Sequence, residues 1–186
     1  MSKANFIIGA VGMLMLTIIV PVMMAMSFFD IYYYLPGLST VFAIVLAVSI
    51  LLGGFAFLGF RNSYDSTVGL VAFILSLIFP WFLLAANLIS FLIFITWAYY
   101  LLGIWAIMAL LGVILVGILF ILWGVSFIMS REDTGNSGLA IAAGVLWILV
   151  GAFFCAYILE FIGDILIIPA GIVAMILLFM ANTNGT

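Results

Sequence analysis

The sequence has no histidine, one cysteine, four prolines, three basic residues and six acidic ones among its 186 positions. Without histidine it lacks the usual ligand for haem, copper and non-haem iron. The single cysteine, Cys155, rules out an intramolecular disulfide and cannot build a metal site alone. With a net charge of −3 there is no basic face to neutralise phosphates, which excludes nucleic acid as a partner. No acid–base pair, phosphate loop or nucleophile–base constellation is recognisable. The sequence therefore predicts no enzyme, no cofactor and no metal site.

What it has is hydrocarbon. Hydrophobic residues make up 70% of the chain and the mean hydropathy is +1.63, whereas soluble domains are about half apolar. Polar breaks fall at "RNSYDST" (61–67), at "SREDTGNSG" (130–138), and around Asp30 and Glu160/Asp164. They divide the chain into six predicted membrane spans, 6–28, 38–60, 68–91, 101–129, 139–159 and 165–181. The stretch from Val68 to Met129 carries no charge and must cross twice, since one span takes roughly 20 residues. The opening "MSKANF" followed by apolar residues imitates a signal peptide. Its apolar run exceeds a signal core of about 7–15 residues, so it reads as a retained first helix. The predicted fold is all-α: a polytopic integral membrane protein in one transmembrane domain, 1–186.

With six crossings, Lys3, Arg61 and Arg131 share one side. The positive-inside rule makes that side cytoplasmic, with both termini inside, in the plasma or inner membrane. The opposite face receives Asp30, Glu160 and Asp164 together with Tyr32, Tyr33, Tyr34, Trp97, Tyr99 and Tyr100. Tyr and Trp favour the headgroup level because one edge is apolar and the other polar, so these aromatics read as an interfacial belt.

Three segments, "LTIIVPVMMA" (16–25), "LSLIFPWFLLA" (75–85) and "LWILVGAFFCA" (146–156), place Pro21, Pro80 and Gly151 at matching points. Each follows a basic residue at a nearly constant interval, and each even-numbered helix opens with "LPGL", "LLGI" or "IPAGI". The pattern predicts three repeated helical hairpins, at approximately 1–60, 61–130 and 131–186. Pro21 and Pro80 would free the carbonyls of Thr17 and Ser76, whose hydroxyls are expected to help satisfy the backbone. Pro36 and Pro169 are expected in the first turns of their helices, with Gly37 and Gly171 turning the chain.

The segment "LPGLSTVFAIVLAVSILLGGFAFLG" (35–59), in which Pro-Gly-Leu-Ser opens a glycine-containing helix after an aromatic-rich turn, resembles the HdeD-like family of small membrane proteins. The resemblance implies six helices and a short repeated hairpin, with founding members linked to acid resistance. It transfers no functional residue.

A few polar or small side chains remain as candidates. Asn87, late in the third span, is expected to bond across helices. Asp30, Glu160 and Asp164 form a possible external acidic cluster, a proton or cation site if paired acids raise one another's pKa; the plainer alternative is that they mark the water boundary and cap helix ends. On the fifth helix Ala140, Gly144, Gly151 and Cys155 fall within about 60° of one another at 100° per residue, a seam for close helix packing. The functional expectation is a non-catalytic membrane protein acting through helix packing. It would be an accessory or scaffolding subunit of a complex, or an HdeD-like stress protein. Its partners would be the lipid bilayer and other membrane subunits or further copies of itself. The alternative is a channel or transporter for a small solute, ion or proton, although every acid lies near a span end.

Overall fold

A computed structural model of the chain describes residues 2–29, 36–96, 99–156 and 159–184. These form α1 (Ser2–Phe28), α2 (Pro36–Tyr64), α3 (Thr67–Ile78), α4 (Pro80–Thr96), α5 (Leu102–Met129), α6 (Ser137–Cys155) and α7 (Glu160–Asn184), with a 3-10 turn at Tyr99–Leu101. No strand occurs among the described residues. Because α3 and α4 follow one another directly, the helices make six segments long and apolar enough to cross a membrane. Large apolar side chains such as Ile18, Val41 and Ile107 are exposed on the outside. Water would penalise so much exposed hydrocarbon; lipid does not.

Each span packs on its neighbours in sequence, and α7 closes the ring against α1. The basic residues gather at one end. Phe6 of α1 stacks on Tyr64 of α2 at 6.3 Å, and Phe60 meets Phe127 of α5 at 5.6 Å. Lys3, Arg61 and Arg131 thus share what is called here the closed end of the bundle. The last residues of α1, α4 and α6 and the first of α2, α5 and α7 lie at the other, the open end.

Local chemistry sets the helix ends. At the closed end α2 runs on through Arg61 to Tyr64, beyond the expected end at 60, because a cation in the last turn opposes the negative end of the helix dipole. Arg61 pairs with Asp65, which takes a φ of 51° and turns the chain out of the helix. The Ser66 hydroxyl then caps α3 by accepting from the Gly69 N–H at 3.0 Å. Asn136 caps α6 likewise, its Oδ1 accepting from the Leu139 N–H at 3.1 Å. Before it, Gly135 adopts a φ of 73°, a left-handed conformation that a side chain would strain.

The breakers do not behave alike. Pro36 begins α2 and Pro80 begins α4, so the third span is divided at Phe79. Pro21 and Gly151 instead lie inside continuous helices. Pro169 also lies inside its helix, not in the first turn as its sequence context suggests. Helix α7 starts at Glu160, early enough that Pro169 only removes one donor from an established ladder. Gly171 makes no turn there; it lets α7 approach α1, where an added Cβ would strike the Thr17 hydroxyl and come within 3.2 Å of the Met13 carbonyl. The hydroxyls beside the prolines do serve the backbone, one turn before the freed carbonyls. Thr17 Oγ1 donates to Met13 O at 2.8 Å and Ser76 Oγ to Ala72 O at 2.7 Å, since a helical hydroxyl reaches the carbonyl four residues back. At the Pro80 break the Trp81 indole N–H donates to the Leu77 carbonyl at 2.6 Å, an internal partner that lipid could not supply.

Candidate functional site

The closed half of the bundle is filled by rings. Phe57, Phe60, Phe127, Trp123 and Trp147 are all fully buried. Phe57 stacks on Trp123 at 5.2 Å with their planes 25° apart, Trp123 meets Trp147 edge-on at 5.1 Å, and Phe120 lies 4.9 Å from Trp147. Offset and edge-to-face contacts at these separations add to the burial of each ring.

Two adjacent glycines make the plug possible. Gly53 and Gly54 of α2 give three other helices room to converge. A Cβ at Gly53 would meet the Trp123 ring at 2.8 Å, and one at Gly54 would meet the Ser76 hydroxyl of α3 at 2.8 Å. A Cβ at Gly12 of α1 would overlap the Gly53 backbone. At this junction Trp123 Nε1 donates to Ser76 Oγ at 3.1 Å, so one hydroxyl passes a hydrogen bond on to the α3 backbone. The buried Trp147 Nε1 and Ser126 Oγ find no such partner. Sequence reading missed the Ser76–Trp123 pair, whose members are 47 positions apart; the Gly-Gly step in "LLGGFAF" was its only signal.

The open half is hollow. A cavity of about 760 Å³ is lined by residues from all six spans. Its floor is formed by Ile50, Val116, Phe120 and Ile167, and Phe120 joins it to the plug. Toward the open end stand Ser27, Phe94, Trp105, Phe161 and Asp164. Asn87 and Ser90 of α4 supply polar groups along the wall. The size and the mainly apolar lining with a few polar groups are those of small-molecule pockets.

Of the acidic cluster expected from sequence, Asp164 is half-buried and lines this cavity, one helical turn after Glu160 at the start of α7. Asp30 lies outside the described residues, as do Tyr32, Tyr33, Tyr34 and Trp97 of the expected aromatic belt. Among the described residues Asn87 makes no bond across helices. Its Nδ2 donates at 3.1 Å to Leu83 O of its own helix, because the cavity in front of it offers no facing helix to reach.

The fifth-span seam faces α5. A Cβ at Gly144 would come within 2.6 Å of the Gly124 carbonyl, and one at Gly151 would strike the Gly117 carbonyl. Cys155 Sγ donates to Ile114 O at 3.7 Å across the same contact, and Ala140 is fully buried. Pro80 is buried at the boundary between plug and cavity. Among the described residues no three metal-ligating side chains come together.

No family model, curated protein or solved structure matches this chain. The functional reading rests on its own geometry.

Proposed function

We propose that this chain is a non-catalytic integral membrane protein that acts through helix packing and does not conduct. The reading makes it an accessory or scaffolding subunit of a membrane complex, or a stress protein of the HdeD-like kind that residues 35–59 resemble. The observation that carries it is the aromatic plug. Phe57, Phe60, Trp123, Phe127 and Trp147 have no exposed surface, and the polar pair at Ser76 and Trp123 is consumed internally. An ion crossing such a layer would be stripped of water with nothing to replace it. Glycine-lined contacts and extensive exposed hydrocarbon equip the chain for association with other membrane helices, in a complex or with further copies of itself.

In this reading the domain comprises three hairpins, supported by the adjacent packing of both helices in each. The unequal breakers at Pro21, Pro80 and Gly151 count against a close structural repeat. The closed end faces the cytoplasm of a plasma or inner membrane with both termini, supported by the three basic residues gathered there. Cysteines introduced at Ser63 and Ser137, with Cys155→Ala, are expected to resist impermeant thiol reagents in intact cells. Labelling of either from outside would reverse the orientation.

The cavity favours a second reading, a carrier for a small solute, ion or proton, because it already opens half of a path. The two diverge in liposomes. The purified chain is expected to give proton and solute flux no higher than protein-free vesicles. Flux that disappears on neutralising Asp30, Glu160 and Asp164 together, with the sizing profile intact, would establish transport instead.

A further inference from the structure

The cavity has a polarity that the plug lacks. Its floor is hydrocarbon and its open end combines a carboxylate, Asp164, with the rings of Phe94, Trp105 and Phe161. Phe161 is 65% exposed and Trp105 37%, so both present aromatic surface to an entering molecule. The chain's only cations, Lys3, Arg61 and Arg131, are all at the opposite end, where Asp65, Glu132 and Asp133 offset them. The field at the mouth is therefore negative and no basic residue is in reach to hold an anion. Aromatic faces attract cations through their quadrupole, and a neighbouring carboxylate adds to that attraction.

We propose that the cavity binds a single-chain amphiphile with a cationic nitrogen head. The hydrocarbon tail lies against Ile50, Val116 and Ile167, and the ammonium group sits at the mouth between Asp164 and Trp105. Alkylammonium compounds and phosphocholine lipids share this head chemistry. The first carry a net positive charge, and the second add a phosphate that the negative mouth repels. The site is therefore assigned to the net-cationic class. The plug blocks the route onward, so the tail ends at Phe120.

The test uses the full chain in maltoside micelles, whose neutral headgroup is the competing background, with Trp81→Phe and Trp97→Phe leaving Trp105 as the tryptophan at the mouth. Dodecyltrimethylammonium brominated on the chain carbons next to the head is expected to quench Trp105 saturably, at about one tenth the micellar mole fraction needed by dodecyl phosphate brominated at the same carbons, the factor supplied by one desolvated cation–aromatic contact. A brominated lysophosphocholine of the same tail should fall between them. Asp164→Asn should narrow the gap between the two ends of that series, leaving the part that the ring supplies, and Ala109→Phe, which fills the cavity wall, should abolish saturable quenching. Equal quenching by the ammonium and phosphate probes in the unmodified site would overturn the proposal, with no variant needed. So would saturable quenching that survives Ala109→Phe, since the amphiphile would then lie on the outer surface. Lysophosphocholine binding tighter than the ammonium probe would overturn the assignment to net-cationic amphiphiles in favour of a bilayer lipid.

Discussion

Replacing Gly144 with leucine is expected to eliminate monodisperse protein from a sizing column. Helices α5 and α6 touch at two levels, Gly124 with Gly144 and Gly117 with Gly151, and at both a carbonyl oxygen of the facing helix stands in the way of a side chain, joined at Gly144 by the Ile128 side chain. A flexible side chain could rotate away; a hydrogen-bonded backbone cannot. The helices would have to separate, and the Cys155 contact with Ile114 would be lost with them. Overpacking of a close-packed interior costs about 1–3 kcal/mol, and backbone obstruction puts this site at or above the top of that range. That is a large part of the roughly 5–15 kcal/mol that holds a domain together. Gly103 supplies the control, because a Cβ there has nothing within 4 Å. Gly103→Leu should elute like the parent, whereas an unchanged profile for Gly144→Leu would mean that the seam does not hold the bundle.

Trp123→Ala is expected to be the most damaging truncation in the plug, at about 3–5 kcal/mol, the usual cost of emptying a buried tryptophan site. Its indole is fully buried and borders Phe57, Phe120 and Trp147 with ring centroids 5.1 to 5.2 Å away. The rings come from three different helices, so no one of them can settle into the space without leaving its own contacts. The glycine step at Gly53 loses the ring it was shaped for. Trp105→Ala, at the cavity mouth, should cost far less because that ring is already 37% exposed. Thermal unfolding followed by loss of the sizing peak compares the two. Equal midpoints would show that the closed half is not the stabilising one.

The number of spans could be read from charge alone. Lys3, Arg61 and Arg131 recur at every second crossing on one side, and the uncharged run from Val68 to Met129 exceeds one crossing. Pro36 was legible because a run of three tyrosines closes the apolar stretch before it. Pro169 was not, since apolar residues on both sides of a proline look the same whether it starts a helix or interrupts one. Glu160 and Asp164 read as marking the water boundary and a helix end. The helix begins at Glu160, earlier than the expected span start at 165, and acids at a helix N-terminus are favoured by its dipole. The cavity left no trace in the sequence. In a lipid-facing bundle both the inner and outer faces are apolar, so periodicity does not tell which residues converge. Ile50, Val116 and Ile167 look no different from Val41 or Ile107, yet the first three line a cavity and the others are exposed on the outside.

A bundle filled at one end and hollow at the other is unevenly compressible. Pressure acts on proteins largely by eliminating internal voids, and the ring-filled half has little void volume to surrender. Deformation under pressure, hydrostatic or lateral, would therefore concentrate in the half that holds the cavity. The break at Phe79 falls on the border between the two. It leaves α3 tied through Ser76 to Trp123 in the filled half, while α4 carries Asn87 and Ser90 along the wall of the cavity. The third span thus joins a rigid base to a compliant wall within a single crossing.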